Sequence, residues 1–97
     1  MQFVWDENKN MANVKKHKVS FEEAKSVFFD INAKIIHDPD HSDAEDRFLI
    51  LGLSELLKLL VVCHCYKEDD DVIRIISARK ATRKETSKYG GENEKRV

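Results

Sequence analysis

The spacing of apolar and polar residues changes period several times along this chain, and each change marks an element. Gln2 to Trp5 alternate polar with bulky apolar side chains, the two-residue period of a strand with one buried face, and Asp6 follows as a helix N-cap. From Glu7 to Lys16 the apolar positions Met11 and Val14 sit three apart, which predicts a weakly amphipathic helix whose last lysines suit the helix dipole. Ser20 and Glu23 have the spacing of a capping box, and Phe21, Ala24, Val27 and Phe28 fall on one face of the helix they open. Ala33 to His37 read as a strand, ended by the turn chemistry and missing amide donor of Asp38-Pro39-Asp40.

Three further runs rich in Leu, Ile and Val follow: Arg47 to Leu53, Leu57 to Lys67 and Val72 to Ala78. The polar links between them are short, which predicts three consecutive strands joined by hairpins. Val61-Val62-Cys63 and Ile75-Ile76 are apolar on both alternations, so these strands should be covered at least partly on both faces. Thr82 and Glu85 make a second capping box, opening a short helix that Tyr89 and Gly90 close. The order strand, helix, helix, four strands, helix predicts one α+β domain over residues 1–90, with a mainly antiparallel sheet and helices mainly to one side. Residues 91–97 are expected to be a flexible tail.

Composition narrows this picture. At 97 residues the chain has room for one small domain. Lys+Arg 17 against Asp+Glu 18 gives a net charge of -1, which excludes a uniformly basic histone-like protein and an acidic tail protein. The charge comes in blocks instead. Lys9, Lys15, Lys16 and Lys18 lie in a stretch without acids, and Arg74, Arg79, Lys80, Arg83, Lys84 and Lys88 are opposed within their segment by Glu85 alone. Between them stand two acidic clusters, Asp38 to Asp46 and Glu68 to Asp71. The longest apolar stretches are interrupted well short of the ~20 residues of a membrane span, and residues 1–10 lack an apolar leader core, so a cytoplasmic protein is expected.

Cys63 and Cys65 flank His64 two apart on a strand and read as small buried hydrophobes rather than a disulfide. Phe3 and Trp5 read as core, and so does Phe28-Phe29, with one ring left for a partner. His37, His41 and the carboxylates of Asp38 to Glu45 imitate a mixed metal site, but Pro39 breaks the helix that would align the histidines. No metal and no cofactor are expected.

Several blocks together resemble one family. They are Phe3-x-Trp5-Asp6, Lys16-His17 before Val19-x-Phe21-Glu22-Glu23-Ala24, and Asp38-x-Asp40-His41-Ser42-x-x-Glu45-x-Arg47. The run Ile73-Arg74-Ile75-Ile76-Ser77-Ala78-Arg79-Lys80-Ala81 completes them. In this order, over roughly Gln2 to Tyr89, they resemble the BrnT family of bacterial type II toxins. The resemblance implies a RelE-like ribonuclease fold and inhibition of translation by RNA cleavage. It also implies neutralisation by a BrnA-type antitoxin, in a complex of two toxins and two antitoxins, whose ribbon-helix-helix domain alone meets promoter DNA. The chain departs from the family pattern at Cys63 and Cys65, where Val and Thr are expected, and at Lys67, where arginine is common.

Metal-free RNA cleavage needs a group to take the 2′-hydroxyl proton, a cation for the phosphoryl oxygens and an acid for the leaving oxygen. The catalytic candidates are His64 on the penultimate strand, Arg74 on the last strand and Arg79 just past it. Lys16, Arg47, Lys67 and Lys80 are candidates for substrate binding, and Glu45 for pairing with Arg47 or orienting a base. A hairpin over Glu68 to Asp71 sets residue 67 across from 72 and 65 across from 74, so Lys67 and Arg74 share a face and His64 points the other way; a one-residue slip reverses that. Arg74, set among Val72, Ile73, Ile75 and Ile76, requires either a carboxylate or a phosphate as partner. A second functional class stays open: a non-catalytic adaptor that binds RNA or protein through the same charge blocks.

Overall fold

Each helix start signalled by the sequence is made hydrogen bond by hydrogen bond in the computed structural model, which describes residues 1–37 and 46–94. Strand β1 (Gln2–Val4) hands over to helix α1 (Glu7–His17) at Asp6, whose carboxylate accepts the amide hydrogens of Asn8 and Lys9. Ser20 caps α2 (Phe21–Ser26) by accepting the Glu23 amide hydrogen at 3.0 Å. The return half of this box is not made, because the Glu23 carboxylate turns inward. It accepts the Ser54 hydroxyl at 2.7 Å, and the Lys58 ammonium lies 3.8 Å away. A 3-10 turn (Val27–Phe29) extends α2.

Four strands follow: β2 (Lys34–His37), β3 (Phe48–Leu53), β4 (Leu59–Lys67) and β5 (Val72–Lys80). They form one five-stranded sheet in the order β1-β5-β4-β3-β2, antiparallel except where β1 runs parallel to β5. The expected element order therefore holds. Two ends differ. β5 continues past Ala78 to Lys80, so Arg79 and Lys80 are strand residues and do not follow the strand. Helix α3 (Arg83–Glu94) passes the Tyr89-Gly90 pair instead of closing there. The predicted Asp38-Pro39-Asp40 turn, together with His41 and Glu45, lies outside the described residues.

The register explains which residues meet. Cys65 stands across from Arg74 and Lys67 from Val72, as the hairpin spacing predicts. Beyond His64, opposite Ile75, the pairing jumps to Cys63 opposite Ser77, so Ile76 is an extra residue and β5 bulges there. On one face of the sheet lie Ile50, Leu60, Val62, Ile75 and Ala78, packed with Val19, Phe21, Ala24 and Val27 into the core. Burial of these aliphatic groups contributes most of the fold's stability, at about 25 cal/mol per Å² removed from water. Phe3, Trp5 and Phe28 pack against this cluster, while Phe29 is the ring left outside at 67% exposed. Gly52 lies so close to the 3-10 turn that a Cβ there would stand 2.8 Å from Val27 Cγ1.

The third helix takes the opposite face. Arg79 and Lys34, both on that side by register, bond to Glu85 and to the Lys88 carbonyl of α3, and the Tyr89 hydroxyl donates to Asp30 at 2.7 Å. Helix cover is thus split two against one. No helix among the described residues is long and apolar enough to cross a membrane.

Asn13 ties the first layer to the sheet. Its buried side-chain amide donates to the Val19 and Ala78 carbonyls, each at 2.8 Å, and its oxygen accepts the Ala78 amide hydrogen at 3.1 Å. Asn13→Ala leaves both polar groups of Ala78 without that partner. The expected loss is about 2–3 kcal/mol of unfolding free energy, read from urea denaturation at constant m-value.

Candidate functional site

The bulge at Ile76 decides the layout of charge on the sheet. Arg74 and Arg79 are five apart, and in an uninterrupted strand an odd spacing sends side chains to opposite faces. Here Arg74 pairs with Cys65 and Arg79 with Val61, two positions of the same β4 face, so the extra residue turns both arginines to one side. Ser77, opposite Cys63, and Lys67, at the end of β4, join them by register. The arginines are separated by about 16 Å of strand, at 3.3 Å per residue. Beside them on β4, Cys63 and Cys65 are buried and form no disulfide with each other, in keeping with the small hydrophobes their pattern predicts.

The two guanidinium groups are prepared differently. Arg74 is half-buried, and no carboxylate among the described residues forms an ion pair with it. Arg79 is gripped: its Nη1 donates to Glu85 Oε1 at 2.8 Å and its Nη2 to Oε2 at 3.0 Å. Glu85 is held in turn by the complete second capping box, accepting the Thr82 amide hydrogen at 2.9 Å while its own amide donates to the Thr82 hydroxyl at 3.2 Å. Hydrogen bonding from Arg79, chiefly, lowers the Glu85 carboxyl pKa to about 2, and the same pair raises that of Arg79.

His64 lies on the other face and has no solvent exposure. Its ring packs edge-on against Phe28, 4.8 Å between centroids, and against Tyr66 at 5.2 Å. Nδ1 lies 3.1 Å from the Val62 carbonyl, which only accepts, so Nδ1 carries the proton and Nε2 faces the Tyr66 hydroxyl at 3.3 Å. Burial lowers the imidazole pKa below 6.5, against a smaller upward pull from the Val62 carbonyl. Beside this aromatic cluster opens a cleft of about 420 Å³ lined by Asp46, Phe48, Tyr66 and Asp70, whose carboxylates repel an anionic ligand. Burial, and then Asp70, raise the Tyr66 pKa above 10.0.

The sequence-derived candidates therefore divide. Arg74, Arg79 and Lys67 come together on one face; His64 does not join them, because the unslipped hairpin register holds it on the core side. Lys16, a substrate-binding candidate, sits exposed on α1, across the sheet from the arginines, and does not share their surface. Lys80 pairs with Leu60 and shares the core-side alternation. Arg47, half-buried, immediately precedes β3. Sequence reasoning missed Glu85 as a partner of Arg79; the signal was present in the second capping box, whose acid lies six residues beyond that arginine.

Comparison with known proteins gives one family. A family model described as the ribonuclease toxin BrnT of a type II toxin-antitoxin system matches residues 5–85. Among solved structures, the 1.1 Å crystal structure of the Brucella abortus ribonuclease toxin BrnT is similar, with a TM-score of 0.65 and 25% sequence identity, covering 86% of this chain and 99% of that one. No curated protein sequence matches.

The neutral, buried His64 has a consequence for stability. Its pKa is depressed in the folded state, so unfolded chains take up the proton first as pH falls below 6.5. Stability is then full above that pH and declines on acidification. Urea midpoints measured from pH 7.5 to 5 should fall for the wild type and fall less for His64→Phe, which keeps the ring packing and cannot titrate.

Proposed function

The chain belongs to the BrnT family of ribonuclease toxins of type II toxin-antitoxin systems, and on that premise we propose that it is a metal-independent endoribonuclease that inhibits translation by cutting RNA. The observation that carries this reading is the shared face of Arg74 and Arg79, produced by the bulge and free of the acidic residues that line the cleft near His64. In this reading the 2′-hydroxyl gives its proton to solvent water as its oxygen attacks the adjacent phosphorus, a 2′,3′-cyclic phosphate forms, and the P–O5′ bond breaks with the departing 5′-oxygen taking a proton from water. Charge gathers on the non-bridging oxygens meanwhile. Arg74, half-buried and without a carboxylate partner among the described residues, presents a two-donor fork to those oxygens. Arg79 and Lys67 hold the flanking backbone, with Arg47 at the border of the sheet.

Lys16 and Lys80 belong to the opposite side and extend contact along the substrate only around the sheet edge. His64 supports the site from beneath as a neutral ring in the aromatic cluster, not as a base touching RNA. The face that binds RNA is also the surface a BrnA-like ribbon-helix-helix antitoxin covers, in a complex of two toxins and two antitoxins that meets promoter DNA through the antitoxin. Acidic and apolar antitoxin segments suit it, and salt should weaken the complex. The site of action is the cytoplasm, and residues 1–90 are the working unit.

The test is to incubate the purified chain with purified cellular RNA in EDTA, without ribosomes, beside Arg74→Ala, Arg74→Lys and Arg79→Ala. Wild type should cleave, and each alanine variant should lose about 10²-fold or more in rate while remaining folded. Arg74→Lys should also fail, since one ammonium does not reproduce a two-donor fork. RNA that stays intact with wild type but shifts in a gel, equally for Arg74→Lys, would replace the ribonuclease with an RNA-binding adaptor.

A further inference from the structure

A guanidinium has five N–H donors, and at Arg79 most of them are already engaged. Nη1 gives one hydrogen to Glu85 Oε1 at 2.8 Å and the other to the Lys80 carbonyl at 3.4 Å. Nη2 gives one to Glu85 Oε2 at 3.0 Å. Two donors remain without a partner among the described residues, the Nε hydrogen and the second Nη2 hydrogen. These are neighbours on one edge of the guanidinium plane, with the spacing that two oxygens of one phosphate require. The side chain of Arg79 is 39% exposed, so the group is reachable.

Resting on the ribonuclease reading above, we infer that Glu85 is a positioning residue: it clamps the end of the Arg79 guanidinium so that the Nε–Nη2 edge is set for an RNA phosphate. The clamp is itself rigid. Thr82 donates its amide hydrogen to the same Oε1 atom, and the capping box fixes the first turn of α3 relative to the end of β5. Farther along, the Tyr89 hydroxyl ties the helix to Asp30, which also accepts the Leu53 amide hydrogen. The helix thus serves as a brace that transmits the position of the sheet to one guanidinium plane. Arg74 has no equivalent brace among the described residues, which gives the two arginines different tasks: Arg79 sets the register of the RNA backbone and Arg74 meets the developing charge.

The alternative is that Glu85 stands in for phosphate and blocks the site. The two readings predict opposite signs. The experiment measures cleavage of a defined RNA oligonucleotide by the full chain, and binding of its 2′-O-methylated, uncleavable counterpart, for wild type, Glu85→Gln, Arg79→Ala and the double variant. Glutamine still closes a capping box, so α3 should stay formed, with the melting temperature lowered only by the loss of the Arg79 ion pair. A positioning role predicts that Glu85→Gln lowers kcat by roughly 10- to 100-fold, the scale of a substrate held out of line with the reacting groups, with a smaller change in KM and in binding. In the Arg79→Ala background the same substitution should change nothing further. Faster cleavage or tighter binding by Glu85→Gln would overturn the inference in favour of a blocking carboxylate. An equal loss in both backgrounds would overturn it as well. Full cleavage by Arg79→Ala would instead remove Arg79 from the site, and both readings would fall together.

Discussion

A single extra residue in β5 governs how this small sheet divides its labour. Before Ile76 the strand places Ile73 and Ile75 toward the core; after it, Ala78 takes the inward position. Without the insertion, a strand that buried Ile75 would point Ala78 outward and Arg79 inward, against Val62 and the helices. A guanidinium there would cost several kcal/mol. The bulge satisfies both requirements at once, an unbroken apolar layer beneath α1 and α2 and a pair of arginines above the other surface. The sequence pattern Ile75-Ile76 is the local trace of that solution.

The polar groups buried on the core side are all structural, and each is closed by its partners. Asn13 bridges α1 to Ala78, Glu23 leaves its own cap to meet Ser54, and His64 bonds within its own strand. None of the described buried side-chain nitrogen and oxygen atoms lacks a partner. The opposite face carries the charges of Arg74 and Arg79, and Arg79 receives a carboxylate from α3. One face is finished internally and the other is completed by something outside the sheet.

Most of the fold was legible because its signals are local. Asp6, Ser20 and Thr82 announce helix starts through hydrogen bonds made within three residues, and strand periods show in four or five side chains. The hairpin pairing of Cys65 with Arg74 was likewise within reach, since a four-residue turn fixes it. What the sequence hid depends on distant partners. Glu23 abandons its capping box for Ser54, thirty-one residues away, and no spacing rule contains that. Arg79 is held on the strand by its pairing with Val61, and α3 is tied to the second face through Lys34 and Asp30, partners more than fifty residues away. For the candidate site, the residue types and the shared face of Lys67 and Arg74 were readable, and the placement of Arg79 on that face was not. The bulge breaks the alternation on which any face assignment rests, and His64, chosen for its chemistry, is claimed by an aromatic cluster assembled from three separate segments.

The parallel pairing of β1 with β5 joins Gln2 to Val72 and Val4 to Arg74. The first strand made is therefore stranded until the last one arrives. During synthesis the chain emerges N-terminus first, and β1 with the α1 bridge at Asn13 has no sheet to join until residues 72–80 are out. Long-range closure of this kind also slows folding. A nascent or truncated chain lacking β5 can complete neither the core nor the arginine surface, so the topology itself withholds a finished molecule until translation has passed the strand that carries Arg74 and Arg79.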